Sequence, residues 1–188
     1  MIHLVTGAAR AGKSRFALTL AEAVAGPIDF IATAQALDPD MGERIRRHRE
    51  ERGPRYRTVE APVFVGDAVR GLPDGGAIVL DCLTMWVANL VFSDRTDAQM
   101  NADFEALAAA LLAVGGAREP GGQIGMPRRE ESEARPIIVV TNEVGWGIVP
   151  ADALSRRYRD QLGRCNQRIA AVASAVSLLV AGIPMKVK

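Results

Sequence analysis

The chain has 188 residues, 48% hydrophobic and 24% charged, with 23 basic against 22 acidic side chains and a net charge of +1. That length predicts one domain whose core needs no disulfide or metal staple. The charge balance argues against a dedicated nucleic-acid binder and against an acidic disordered chain. Two cysteines, Cys82 and Cys165, with no C-x-x-C pair, rule out a disulfide framework and a cysteine-built metal site. No basic stretch precedes the first apolar run, and no uncharged stretch reaches the about 20 apolar residues of a spanning helix, so a cytoplasmic protein is expected.

In chain order, residues 2–6 read as a buried strand closing on Gly7, and 13–24 as a helix with Phe16, Leu20 and Val24 at helical spacing. A strand at 28–32, a charged helix over 40–52 and a strand at 56–61 follow. Residues 77–82 form an apolar strand carrying Asp81 near its end. Helices are expected at 83–92 and 98–114, a strand at 137–141, a long helix at 150–173, a strand at 176–181 and a short edge strand at 185–188. The helix at 83–92 is apolar nearly all round, which places it in the core or in a subunit contact. Residues 115–135, rich in glycine, proline and charge, predict a mobile inserted loop. Strands alternating with helices imply an α/β fold with a mostly parallel sheet covered on both faces. Ligands bind beyond the carboxyl ends of such strands. Thr6-Gly7, residues 33–35, Asp81 and Asn142-Glu143 all fall there.

Gly7, Ala8, Ala9, Arg10, Ala11, Gly12, Lys13 and Ser14 match G-x-x-x-x-G-K-[ST], directly after a strand and before a helix. Glycines let backbone N–H groups curl onto phosphate oxygens, Lys13 reaches the β and γ phosphates, and the Ser14 hydroxyl can ligate Mg²⁺. Asp81 is the candidate second metal-side group; its structural alternative is a cap for the following helix. These features give a nucleotide-binding protein without fixing a reaction, and no N-K-x-D guanine motif is present.

Of the two histidines, His3 lies in the first strand and reads as structural. His48 shares a helical face with Met41, Ile45 and Arg52, and Arg44, Arg46, Arg47 and Arg49 surround it. Such a cluster draws phosphate and lowers an imidazole pKa, leaving a nitrogen free to attack. A packed or surface histidine on a solvated arginine face is the plainer alternative.

The chain resembles the bifunctional adenosylcobinamide kinase / adenosylcobinamide-phosphate guanylyltransferase family (CobU/CobP). The resemblance rests on the phosphate loop, the segments 31–35 and 44–52, Asp81-Cys82-Leu83-Thr84, and above all the run from Thr141 to Pro150 (TNEVGWGIVP) with Arg157 to Asp160 beyond it. It implies a single P-loop NTPase-type domain over 1–188, RecA-like. It implies phosphorylation of adenosylcobinamide by ATP or GTP, then transfer of GMP from GTP through a guanylylated histidine, which falls on His48. It further implies nucleotide contacts from Gly7 to Ser14, from Thr33, Ala34 and Gln35, from Arg49, Glu50, Glu51 and Arg52, and from Glu60 and Asp81. Lys13 acts beside His48, Ser14 and Asp81 hold Mg²⁺, and the assembly is a homo-oligomer, a trimer, with no nucleic acid or membrane partner. Asn142 and Glu143 are placed for substrate contact or kinase chemistry. The chain departs from the family at Ala34, where serine is common, at Gly53 and Tyr56, where Pro and Trp are common, and in a longer 115–135 segment. A member with one working activity, or a non-catalytic P-loop regulator, are the alternatives.

Overall fold

Seven strands form one sheet in the computed structural model, which describes residues 1–35, 42–43, 46, 52–116 and 135–188. They are β1 (Ile2–Gly7), β2 (Ile28–Ala32), β3 (Tyr56–Glu60), β4 (Ala77–Asp81), β5 (Ile137–Val140), β6 (Ala175–Val180) and β7 (Ile183–Lys186). The order is β3-β2-β4-β5-β1-β6-β7, parallel throughout except for β7, which runs antiparallel to β6. The described helices are α1 (Lys13–Glu22), α2 (Val65–Arg70), α3 (Leu83–Phe92), α4 (Asp97–Gly115) and α5 (Ala153–Val172). The expected α/β architecture is therefore present, with a mostly parallel sheet and helices on both faces. No helix among the described residues is long and apolar enough to cross a membrane.

The central strands are continuous apolar runs because both of their faces are covered. Ile137, Ile138, Val139 and Val140 of β5 are all buried. One face packs Ile2, Leu4, Ile78, Leu80, Ile137 and Val139 under α3, α4 and α5. The other packs Val5, Phe30, Val79, Ile138 and Val140 under α1. The helix α3 lies in the core: Leu83, Trp86, Val87 and Leu90 are all but inaccessible. Burying side chains of this size contributes about 1.5–3 kcal/mol each. Trp86 also donates its indole N–H to the Val63 carbonyl at 2.7 Å and meets Phe104 edge-on.

Several boundaries and faces differ from expectation. The stripe of α1 that meets the sheet is Ala17 and Ala21, with Phe16 and Leu20 only partly buried. Alanines allow the helix to lie close to the strands, and the larger side chains splay to its flanks. The helix ends at Glu22, where the Arg55 guanidinium takes up the carbonyls of Glu22, Val24 and Gly26. A short helix, α2, stands where none was expected. The charged helix over 40–52 lies mostly outside the described residues. Within that span, Gly42, Glu43 and Arg46 are helical. Gly115 belongs to the last turn of α4, capped by left-handed Gly116. At the far end of the expected loop Arg135 is buried, two residues ahead of β5. The residues between, 117–134, lie outside the described ones.

Candidate active site

The phosphate loop is shaped by three left-handed residues, Gly7 (φ 144°), Arg10 (φ 58°) and Gly12 (φ 91°). A methyl group on Gly7 would lie 2.5 Å from the Leu179 carbonyl oxygen, so only glycine lets β1 pass β6 there. Gly12 is the N-cap of α1 and brings no capping side chain, and no acidic residue stands in the first turn. The first N–H groups of the helix are thus left to an anion, which the helix dipole favours. Lys13 is buried and donates to the Ala8 carbonyl at 2.6 Å, closing the loop on itself. Burial lowers its pKa, and the nearby Cys82 and Asp81 oppose the shift. The carboxylate of Asp81 therefore acts on the Lys13 ammonium across the site.

Asp81 ends β4 in register with Ala32 of β2 and Val140 of β5. It does not cap α3, whose N-cap is Cys82 without a side-chain bond. Among the described residues no three His, Cys, Asp or Glu side chains gather as a metal cage. Of the residues expected to hold a metal, Ser14 lies in the first turn of α1 and Asp81 ends β4. That sparse oxygen set suits Mg²⁺, which keeps waters and shares phosphate oxygens.

Thr33 is fully buried, and its hydroxyl bridges the Cys82 backbone, accepting from the N–H at 2.9 Å and donating to the carbonyl at 2.7 Å. Asn89 from α3 holds the Thr33 carbonyl at 2.7 Å and the Pro62 carbonyl at 2.9 Å. The Thr33 side chain thus ties β2 to β4, while Ala34 and Gln35 are partly exposed at the edge beyond it. Glu60 ends β3 on the same edge. Arg52 stacks its guanidinium 3.6 Å from the Phe30 ring centre and donates to the Thr58 hydroxyl at 2.9 Å. Arg46 pairs with Glu43 at 2.6 Å, so one arginine of the expected basic cluster already has a carboxylate partner. His48, Arg49, Glu50 and Glu51 lie outside the described residues. His3 is structural as expected: its Nε2 lies 2.9 Å from the Ser177 hydroxyl, and its ring meets Phe16 edge-on.

Three contacts on this edge go beyond the sequence reading, which places Thr6 here without its partner. Thr6 donates its hydroxyl to Glu143 Oε1 at 2.8 Å, and Asn166 of α5 donates to the Asn142 carbonyl at 3.0 Å. The sequence marks Thr6 by its place near the end of β1, next to the phosphate loop, but does not mark its partner. The third is the β6–β7 turn, Ala181-Gly182, which backs onto the loop: a methyl on Gly12 would sit 3.3 Å from the Gly182 Cα. Both turn residues have positive φ, 49° and 86°, as a tight two-residue hairpin requires.

Three relatives align over the whole of this chain. One, from Pseudomonas aeruginosa, is the bifunctional adenosylcobalamin biosynthesis protein CobP, 39% identical over 189 residues and covered over 98% of its length. The others are bifunctional adenosylcobalamin biosynthesis proteins CobU, from Escherichia coli at 38% identity and from Salmonella typhimurium at 39%, each covered over 100% of its length. The family match itself runs over residues 3–117 and 127–187, so the segment without a family counterpart, 118–126, is shorter than the 115–135 span set apart in the sequence. With a phosphate loop at one end of its sheet edge and alignments spanning almost every residue, the chain belongs to the cobinamide kinase / cobinamide phosphate guanyltransferase family.

Proposed function

We propose that the chain phosphorylates adenosylcobinamide with ATP or GTP and then converts the phosphate to adenosylcobinamide-GDP, using GTP and a guanylylated His48. The observation that carries the nucleotide half is the phosphate loop, with buried Lys13 folded across it ahead of an uncapped helix. In the kinase reaction the loop N–H groups and Lys13 bind the β and γ phosphates and stabilise charge as the γ-phosphoryl moves to the acceptor hydroxyl. Ser14 and Asp81 would hold Mg²⁺, which would supply further charge neutralisation there. In the second reaction a ring nitrogen of His48 attacks the α-phosphorus of GTP, and pyrophosphate leaves. An oxygen of the cobinamide phosphate then attacks the same phosphorus, and the histidine departs. Splitting the displacement gives two easier steps.

Thr33, Ala34, Gln35, Arg49, Glu50, Glu51, Arg52, Glu60 and Asp81 are the proposed nucleotide contacts. Thr33 is fully buried, and its hydroxyl, N–H and carbonyl are already engaged by Cys82, Asp81 and Asn89, so the exposed contact there falls to Ala34 and Gln35. The fold reads as RecA-like. A homotrimer completes the reading; the exposed apolar side chains Ile183, Met185 and Val187 on and just beyond edge strand β7 support a contact between copies. Incubation with adenosylcobinamide, ATP, GTP and Mg²⁺ tests the function. Adenosylcobinamide-GDP is the expected product, and its absence with either half-reaction missing would reduce the chain to a single activity.

A further inference from the structure

A cavity of about 340 Å³ opens at the α5 side of β1, at the carboxyl edge of the sheet. Leu4 and Leu178 form its apolar wall, Trp146 its exposed rim, and Thr6, Glu143 and Asn166 its polar end. The cavity and the phosphate loop are joined through one strand, because Thr6 is followed directly by Gly7. The Glu143 N–H also donates to the Gly7 carbonyl at 3.2 Å.

The Glu143 carboxylate is held in place from two elements. Its Oε1 accepts from Thr6 at 2.8 Å and, more weakly, from Asn166 at 3.4 Å. Asn166 is fixed in turn by the buried Thr141 hydroxyl, which donates to its Oδ1 at 2.7 Å. Oε2 accepts no hydrogen bond from a described residue, and no described cation pairs with Glu143. The Glu143 side chain is half-buried beside the phosphate loop. A carboxylate with one oxygen fixed and the other open meets the geometric needs of a general base.

We propose that this cavity takes the alcohol arm of the phosphate acceptor and that Glu143 is the catalytic base of the kinase step, an inference that rests on the kinase reading above. The acceptor oxygen bonds to the γ-phosphorus as the bond from that phosphorus to the β,γ-bridging oxygen breaks. The nucleoside diphosphate leaves, and the hydroxyl proton passes to Oε2 of Glu143. Guanylyl transfer needs no such base, because its acceptor is already an ionised phosphate.

The test compares Glu143→Gln with wild type in both half-reactions. Glutamine keeps an oxygen for Thr6 but takes no proton. The expected result is a kinase kcat on adenosylcobinamide lowered about 100-fold or more. Self-guanylylation by GTP and GMP transfer to supplied adenosylcobinamide phosphate should stay within about two-fold. Kinase turnover within a few-fold of wild type, or equal loss of both reactions, would overturn the assignment. Leu178→Trp fills the cavity independently. It should raise the KM for adenosylcobinamide about tenfold with self-guanylylation intact, as loss of one to two kcal/mol of pocket contact would; an unchanged KM overturns the cavity. Wild type that self-guanylylates but never phosphorylates adenosylcobinamide removes the kinase reading and this proposal with it.

Discussion

Gly182 donates its backbone N–H to the Ala11 carbonyl across 3.0 Å, so the turn of the last hairpin holds the phosphate loop from behind. The loop is supported at both ends by β6 and its turn: Gly7 lies against Leu179, and Ala11 and Gly12 lie against Gly182. Nucleotide binding and the C-terminal hairpin are therefore mechanically linked.

The two glycines should respond differently to alanine. At Gly182 (φ 86°) a methyl meets open space, so Gly182→Ala carries only the left-handed backbone penalty of about 1–2 kcal/mol. Its melting temperature should fall by a few degrees, with a modest loss of nucleotide affinity. At Gly7 the methyl would meet backbone at 2.5 Å, and Gly7→Ala should cost about 3 kcal/mol or more and abolish nucleotide binding. Urea unfolding and nucleotide titration check both; equal effects would contradict the account.

Asp29 should be the most sensitive charge in the sheet. It is buried, accepts from Arg57 at 2.6 and 2.8 Å, and pairs with buried Arg135. Arg135 also donates to the Pro73 carbonyl at 2.8 Å. Asp29→Ala strands the Arg135 guanidinium and should cost about 3–5 kcal/mol. Arg57→Ala, at a position 42% exposed, leaves the inner pair intact and should cost about 1 kcal/mol or less. Denaturant unfolding of the two variants separates these values.

His3 should make the fold sensitive to mild acid. Burial lowers its pKa below the ordinary 6.5. Below 6.5 the unfolded chain binds a proton that the folded ring resists, so this contribution is fully present above 6.5 and declines as pH falls. Unfolding free energy measured from pH 7 to pH 5 should fall more steeply for wild type than for His3→Gln. Parallel curves would show that the ring is not the group responsible.

The β1–loop–α1 unit was legible because its signals are local: branched residues in β1, two glycines at fixed spacing and Lys13-Ser14 opening a helix. The alternation of strands and helices gave the parallel sheet, and with it the shared edge that carries the loop, Thr33, Asp81 and Glu143. What was hidden depends on partners far apart in the chain. Nothing near Thr6 says that it meets Glu143, 137 residues away. Thr33 stands at a strand end like a ligand contact, yet its hydroxyl is taken up by Cys82, 49 residues on. The helix α2 is six residues long and contains a glycine, too little to establish a period. In α1 the large apolar residues dominated the pattern, whereas close packing on the sheet selected Ala17 and Ala21.

Guanylylation of His48 can be read from the mass of the intact protein. Wild type and His48→Ala are incubated with GTP and Mg²⁺, kept from acid, and weighed intact by mass spectrometry. Wild type should gain one GMP and release pyrophosphate, while the variant binds GTP and gains nothing. An adduct that persists in His48→Ala, or folded wild type that binds GTP without acquiring GMP, would contradict it.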